Sequence, residues 1–386
     1  MKKFGYLTLA ALLAFTSCTN EINEEGFVDK ANTISFSAYS NKTRAPYENG
    51  DIDNATAMQD GSFGVVGYYN NGIYLGTAEK AVKQTWQNGA WEYATSTDLK
   101  YWPNGSMDFY AYFPYAENGD VFASTNSNGT VMTINNATGN QDVLFASVRN
   151  QSYIPRVPLT FHHAFSKINS VNIKVTLNDV DVVVSEVEFI NTQSSVNSKV
   201  LVDRSGKASY GTPTGETSTC GHELASAKTI NSTGEYKTNG YTVWESSANK
   251  YLLATNETES NNVTGTNKNM WDGEKSSLEG GSLSTEGLVC LKITGKVKTH
   301  GGTNYIIGTA EKDGDIYIPL KGTHANVGQG ANTSDLNSFF AGKRYTYNIV
   351  MRDNVGYHDN GDPILKPILF DASVTGWDDV TVTITL

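Results

Sequence analysis

Residues 380–386 read Val-Thr-Val-Thr-Ile-Thr-Leu, an unbroken alternation with four aliphatic side chains on one face of an extended strand and three threonines on the other. A helix repeats its faces about every 3.6 residues and cannot segregate such a run. The pattern recurs along the chain. Val171, Ile173, Val175 and Leu177 alternate with Asn172, Lys174 and Thr176. Phe109, Ala111 and Phe113 share one face and Tyr110 and Tyr112 the other, so that strand is apolar on both faces and belongs at the centre of a sheet. Asn70-Asn71-Gly72 and Asn88-Gly89 sit between apolar runs as hairpin turns. With 36 glycines and only 18% charged residues, the chain suits many short strands joined by turns, and 39% hydrophobic residues in a length of 386 can fill two cores. The expected class is all-β.

The N-terminus has its own logic. Lys2 and Lys3 precede an apolar run from Leu7 to Phe15, too short to span a bilayer, and Thr16-Ser17-Cys18 is a small-residue junction ending in cysteine. Residues 1–17 therefore read as a signal peptide of lipoprotein type, although Phe15 stands where the usual motif has leucine. Acylation of Cys18 would tether the mature N-terminus by burying acyl chains in the membrane. Losing Lys2 and Lys3 takes the formal charge from −11 to −13. Such a chain offers no basic face to nucleic-acid phosphates. No second apolar run of spanning length follows, so attachment rests on the N-terminus.

A polar turn at residues 178–181 followed by a fresh apolar run at 182–189 suggests a break between a domain at 46–181 and another at 182–386. Residues 205–286 are rich in Ser, Thr, Gly and Asn and read as long surface loops over a few strands. Cys220 and Cys290 could pair in an oxidising exterior or be two small buried residues; the reading favours unpaired thiols.

Signatures of enzymes are missing: there is no nucleophile elbow, phosphate-binding loop, His-Glu-x-x-His or Cys-x-x-Cys. No catalytic residue, metal site or cofactor is expected. His162-His163 is the sharpest metal candidate, but neighbours in a strand point to opposite faces. Asp51-Ile52-Asp53 and Asp359-Asn360-Gly361-Asp362 could hold Ca²⁺ and suit turns equally well. Trp86, Trp91, Trp102, Tyr110 and Tyr112 could form a stacking platform for sugars, the function of a surface glycan-binding lipoprotein of a carbohydrate-utilisation system, yet their strand spacing favours core packing.

Several short motifs taken in order resemble the Bacteroidales fimbrillin family: Ile34-Ser35-Phe36-Ser37-Ala38, Thr43-Arg44-Ala45, Tyr101-Trp102-Pro103, Phe109-Tyr110-Ala111-Tyr112, Asp142-Val143-Leu144-Phe145-Ala146, Tyr317-Ile318-Pro319-Leu320 and Thr375-Gly376-Trp377. The acidic stretch after Cys18 is similar to the export signal of Bacteroidetes surface lipoproteins. This resemblance implies two tandem transthyretin-like β-sandwich domains and a subunit of a type V pilus acting in adhesion. It also implies partners: other fimbrial subunits, the outer membrane, a processing protease and a host or bacterial surface ligand. Cleavage between Arg44 and Ala45 would remove the strand carrying Ile34, Phe36 and Ala38 from segment 18–45. Val380, Val382, Ile384 and Leu386 of a neighbouring subunit would then supply a replacement of matching length. The alternative keeps both strands at home, as the first and last edge strands of their domains, with Arg44 an ordinary turn residue.

Overall fold

In the computed structural model the described residues are 32–40, 55–116, 121–123, 129–136, 141–195, 198–211, 220–245, 251–255, 263–266, 268–321, 325–327, 337–352, 354–365, 369–375 and 379–385. The chain opens with β1 (Phe36–Ser40) and a one-turn helix α1 (Ala55–Met58), then runs through β2 (Ser62–Tyr69), β3 (Gly72–Leu75), β4 (Val82–Gln87), β5 (Ala90–Tyr93) and β6 (Met107–Phe113). Next come β7 (Val121–Ala123), β8 (Thr130–Asn136), β9 (Leu144–Gln151), β10 (Val157–His163), β11 (Ser166–Val175) and β12 (Val180–Ile190). They are followed by β13 (Ser198–Asp203), β14 (Ala208–Gly211), β15 (Cys220–Ile230), β16 (Tyr241–Trp244), β17 (Tyr251–Leu252) and a second short helix, α2 (Leu283–Glu286). Last are β18 (Cys290–Thr299), β19 (Tyr305–Ile307), β20 (Gly314–Pro319), β21 (Ala325–Val327), β22 (Arg344–Met351), β23 (Leu369–Thr375) and β24 (Asp379–Thr385). The all-β class expected from the alternation is what the backbone adopts.

Strands in the first body close on themselves. β2 pairs with β4, β4 with β5, β5 with β1, β1 with β10, β10 with β9, β9 with β6, and β6 again with β2. Ring closure of this kind leaves no open edge within the circuit. Inside it, Phe36, Phe63, Val65, Phe109, Leu144, Leu159 and Phe161 form one core, to which α1 adds Ala57 and Met58. Outward-facing Val66, Tyr68, Tyr110, Tyr112 and Phe145 are also buried, because the sheet β14-β13-β8-β7 covers them with Met132, Ile134, Val200 and Val202. The strand expected to be apolar on both faces is thus sandwiched between two cores.

The second body holds two sheets across a third core. One runs β16-β11-β22-β23-β24-β21 with β17 beside β11, and the other β15-β12-β18-β19 with β20 beside β18. Val171, Ile173, Tyr347 and Ile349 of the first meet Val182, Val187, Phe189, Ile293 and Ile318 of the second.

Residue 181 does not separate the two bodies by sheet. β11, before it, lies parallel to β22, and β13, after it, is antiparallel to β8. The chain returns to the first body at residue 198 because the outward tyrosines of the ring need an apolar cover, which Val200 and Val202 provide. Residues 205–286 also hold more structure than loops. They contain the eleven-residue β15, whose exposed outer positions explain its polar sequence, and they bury Tyr251, Leu253, Ala254 and Val263 in the second core. In the first hairpin the turn falls on Asn70 and Asn71, both left-handed with φ of 48° and 65°, while Gly72 already pairs with Tyr69.

Cys220 stands opposite Phe189 and Cys290 opposite Ile190, on the two strands flanking β12. Adjacent residues of β12 face opposite ways, so the two thiols are a strand apart and on opposite faces, beyond reach of each other. Both are buried and not bonded to one another, in line with the reading that favoured unpaired thiols.

A buried carboxylate fastens the start of β12. Asp181 accepts hydrogen bonds from His300 Nδ1 at 2.7 Å, Asn231 Nδ2 at 2.9 Å and the Gly301 amide at 3.2 Å. Burial alone would raise its pKa, but these donors outweigh burial and hold the carboxyl below its ordinary value. A depressed folded-state pKa stabilises above the unfolded value, and that contribution is lost as pH falls through the folded one. We therefore expect Asp181→Asn to cost about 1–3 kcal/mol near neutrality. Thermal melts from pH 7 downward should show the gap between the two proteins closing below pH ~4.

Candidate functional site

The first strand is the part of the ring with the least ordinary attachment. β1 runs parallel to β10, in register from Phe36↔Val157 to Ser40↔Phe161, whereas β5 meets it antiparallel at the single pair Phe36↔Trp91. It is an interior strand, not the edge strand of the stay-at-home alternative. Period-two alternation sends Ile34 and Phe36 into the core with no exposed surface, and leaves Tyr39 on the outside, 54% exposed. Ala38, on the inward face, is half-buried against the same core.

Local contacts fix the strand at its start. The Ile34 amide donates to the Lys100 carbonyl at 2.9 Å, the Trp102 amide to the Asn32 carbonyl at 3.0 Å, and the Val157 amide to the Ser35 carbonyl at 2.8 Å. Tyr93 donates its hydroxyl to the Ile34 carbonyl at 2.9 Å, and burial pushes that hydroxyl far above its ordinary pKa, so it stays a donor. At the centre, the Phe36 ring lies edge-on to Phe109 at 5.5 Å and to Phe63 at 6.3 Å. Where β1 and β5 splay apart, a cavity of about 420 Å³ opens, lined by Thr33, Ser35, Trp91, Tyr93, Leu99 and Arg156. What this arrangement offers is a slot: apolar walls, a backbone ladder on the β10 side, a single pairing on the β5 side, and one strand filling the gap.

The remaining sequence candidates do not gather around it. β24 pairs along its whole length with β23 and on its other side with β21, so Val380, Val382 and Ile384 occupy an internal position of their own sheet. Cys18, Arg44, Ala45 and Leu386 lie outside the described residues, as do Asp51 and Asp53. His163 Nδ1 sits 2.9 Å from the carboxylate of Asp142, which has no exposed surface, and the His162 ring packs 6.0 Å from Phe145. Burial, with His163 adding to it, lowers the pKa of His162. The histidine pair is therefore structural, and its acid was hidden from sequence reasoning because Asp142 reaches it across β9 and β10 rather than along the chain. Asp362 accepts from Lys275 at 2.6 Å and from Asn360 at 2.8 Å, as a turn residue would. Among the described residues no three His, Cys, Asp or Glu side chains converge on a metal-sized site.

The aromatic platform does not form either. Tyr110 and Tyr112 are 1% and 2% exposed within the second core. Trp91 is edge-on to Phe63 at 4.8 Å and to Trp86 at 5.5 Å, and Trp102 to Phe109 at 5.6 Å. The tryptophans pack against the inner core and the two tyrosines are buried outside it, so the five rings do not share one surface.

Phe36 is the largest inward side chain of the strand, which gives a direct check. Truncation by Phe36→Ala should lower stability by about 3–5 kcal/mol in denaturant unfolding, while Tyr39→Ala on the same strand should change it by less than about 0.5 kcal/mol.

The profile of a family described as fimbrillin-like matches residues 43–377. Among solved structures, the chain is similar to a fimbrial protein from Bacteroides vulgatus, with 16% identity and a TM-score of 0.49 over 90% of this chain and 99% of that one. It is also similar to a putative cell adhesion protein from Bacteroides uniformis, with 13% identity and a TM-score of 0.40 over 89% and 98%. A putative cell adhesion protein from Parabacteroides distasonis follows, at 11% identity and a TM-score of 0.42 over 90% and 97%. No curated protein matches the chain.

Proposed function

Because the chain belongs to the fimbrillin-like family, matched over residues 43–377, we propose that it is a non-enzymatic structural subunit of a type V surface fimbria acting in cell adhesion. On this reading it is exported as a lipoprotein on Cys18, delivered to the outer membrane, and cut between Arg44 and Ala45 by a processing protease. Subunits then join by strand exchange. The strand carrying Ile34, Phe36 and Ala38 leaves and a strand of a neighbouring subunit enters, while this chain's own Val380, Val382, Ile384 and Leu386 make up the strand it donates onward. The two bodies correspond to the two tandem transthyretin-like domains, with β11 to β14 threaded between them.

The observation that carries this reading is the place of β1 in a closed ring. An edge strand can be lost at little cost, but a stave cannot. Without β1 the ring opens at β5 and β10 together, Phe36 leaves a void between Phe63 and Phe109, and each large side chain withdrawn forfeits about 1.5–3 kcal/mol of burial. Ladder hydrogen bonds to Val157–Phe161 of β10 add about 0.5–1.5 kcal/mol apiece. A subunit in that condition is driven to take in another strand. Because β24 is seated between β23 and β21, a subunit that donates it must first release it from its own sheet, so donation and reception are separate events.

Two measurements on surface extracts test the proposal. N-terminal sequencing of the mature protein should begin at Ala45, and unheated gels should show ladders that collapse on boiling. Arg44→Ala should retain the first strand and abolish the ladders. A mature chain that begins at Cys18, with ladders unaffected by Arg44→Ala, would sink strand exchange and favour an anchoring role.

A further inference from the structure

One buried side chain of the ring, a strand away from the slot, leaves both of its polar ends without a partner. Gln84 lies on β4 at an inward position, between inward-facing Val82 and Trp86, and has no exposed surface. Neither its Nε2 nor its Oε1 has a hydrogen-bond partner. A buried primary amide with both ends idle is rare, because each unpaired polar group keeps the full cost of leaving water.

Register tells what surrounds it. Gln84 pairs with Phe63 of β2 on one side and Tyr93 of β5 on the other. Since Phe36 pairs with Trp91 in antiparallel sense, Ile34 falls in the row of Tyr93, whose hydroxyl already holds the Ile34 carbonyl. Phe63, Gln84, Tyr93 and Ile34 therefore make one inward-facing row across four strands of the ring. In that row the resident strand presents Ile34, whose side chain can neither donate nor accept a hydrogen bond. Thr33 Oγ1 and Trp102 Nε1, at the entry of the same strand, are likewise buried without partners.

We propose that Gln84 is a specificity-determining residue of the assembly slot. It selects a replacement strand from another subunit that carries Gln, Asn, Ser or Thr at the inward position in the row of Ile34. This rests on the strand-exchange reading above. The first strand closes the ring but leaves the Gln84 amide idle, so the closed form gives way to an occupant that engages it. Residues 380–386 of a second copy cannot do so with their aliphatic face inward. A one-residue slip that turns the threonines inward would put every aliphatic side chain on the wrong face. The slot thus discriminates against this chain's own C-terminal strand and in favour of a partner of different sequence.

The test uses the full chain with an engineered protease site replacing residues 41–47, so that release of the first strand does not depend on Arg44. After cleavage, fluorescently labelled peptides copying residues 33–40, either native or carrying Ile34→Gln, are bound to the wild-type protein and to Gln84→Met. The affinity of the Ile34→Gln peptide relative to the native one should be about 5- to 20-fold greater on wild type than on Gln84→Met, the yield of one additional buried hydrogen bond. Equal ratios on the two proteins would overturn the proposal while leaving strand exchange intact. Failure of both peptides to enter would overturn strand exchange and this proposal with it. In the uncleaved chain Gln84→Met should raise the Tm, because it removes an unsatisfied amide. A fall would mean that the amide is already satisfied with the first strand in place, and would also overturn the proposal.

Discussion

Backbone pairing along a circuit is the constraint on which the rest of the first body depends. Every strand in the ring must satisfy its amides and carbonyls on both sides, and between β5 and β10 only β1 is there to do it. Its five residues are short for that task, so the inward side chains supply the remainder of its hold. Phe36 stands at the meeting point of Phe63 and Phe109, and Ile34 is tied through its carbonyl to Tyr93. Closure in turn makes an outer face available. Tyr68 and Tyr110 pack edge to face at 5.7 Å on that face and donate their hydroxyls to the carbonyls of Val131 and Arg204, so the covering sheet is held by hydrogen bonds as well as by burial.

The second body solves a different problem. Its two sheets are open, and their edges are managed by length and polarity: β15 ends one sheet with an exposed, charged outer row, and β16 ends the other at only four residues. Where two strands of one sheet approach closely the sequence gives way. At Gly295 a Cβ would lie 1.9 Å from the Val183 carbonyl, beside the register shift between Val184 and Glu186, so only glycine permits β18 to follow β12 there. The same pair of strands carries Glu188 and Lys292, directly opposite one another with Nζ to Oε2 at 2.6 Å.

Much of this was legible in the chain, for physical reasons that can be named. Val171–Leu177 and Phe109–Phe113 declare strands because the side-chain period of a strand is two whatever surrounds it, and two-faced burial follows when both sets are apolar. The inward face of the first strand was readable from Ile34, Phe36 and Ala38 in the same way. Pairing was not readable. That β1 runs beside β10 rather than its sequence neighbours, and that β13 returns to cover the ring, depends on contacts more than sixty residues apart, which no local pattern encodes. β15 was invisible for another reason: an edge strand packed on one side needs few apolar residues, and His222, Glu223 and Lys228 look like loop. Gln84 gave no signal either, since a glutamine in Val-Lys-Gln-Thr-Trp-Gln is unremarkable until its burial is known.

The double passage of the chain between the two bodies has a mechanical meaning. In proteins whose domains are joined by one linker, tension along the molecule first straightens the linker and only later loads a fold. Here the segment that leaves β12 is laid down as β13 against β8, with Ser198–Asp203 matched to residues 130–136, before β15 rejoins the second body. A pull that separates the bodies loads the β13–β8 ladder, so part of the force falls on strand pairing inside the first body and not on a linker alone.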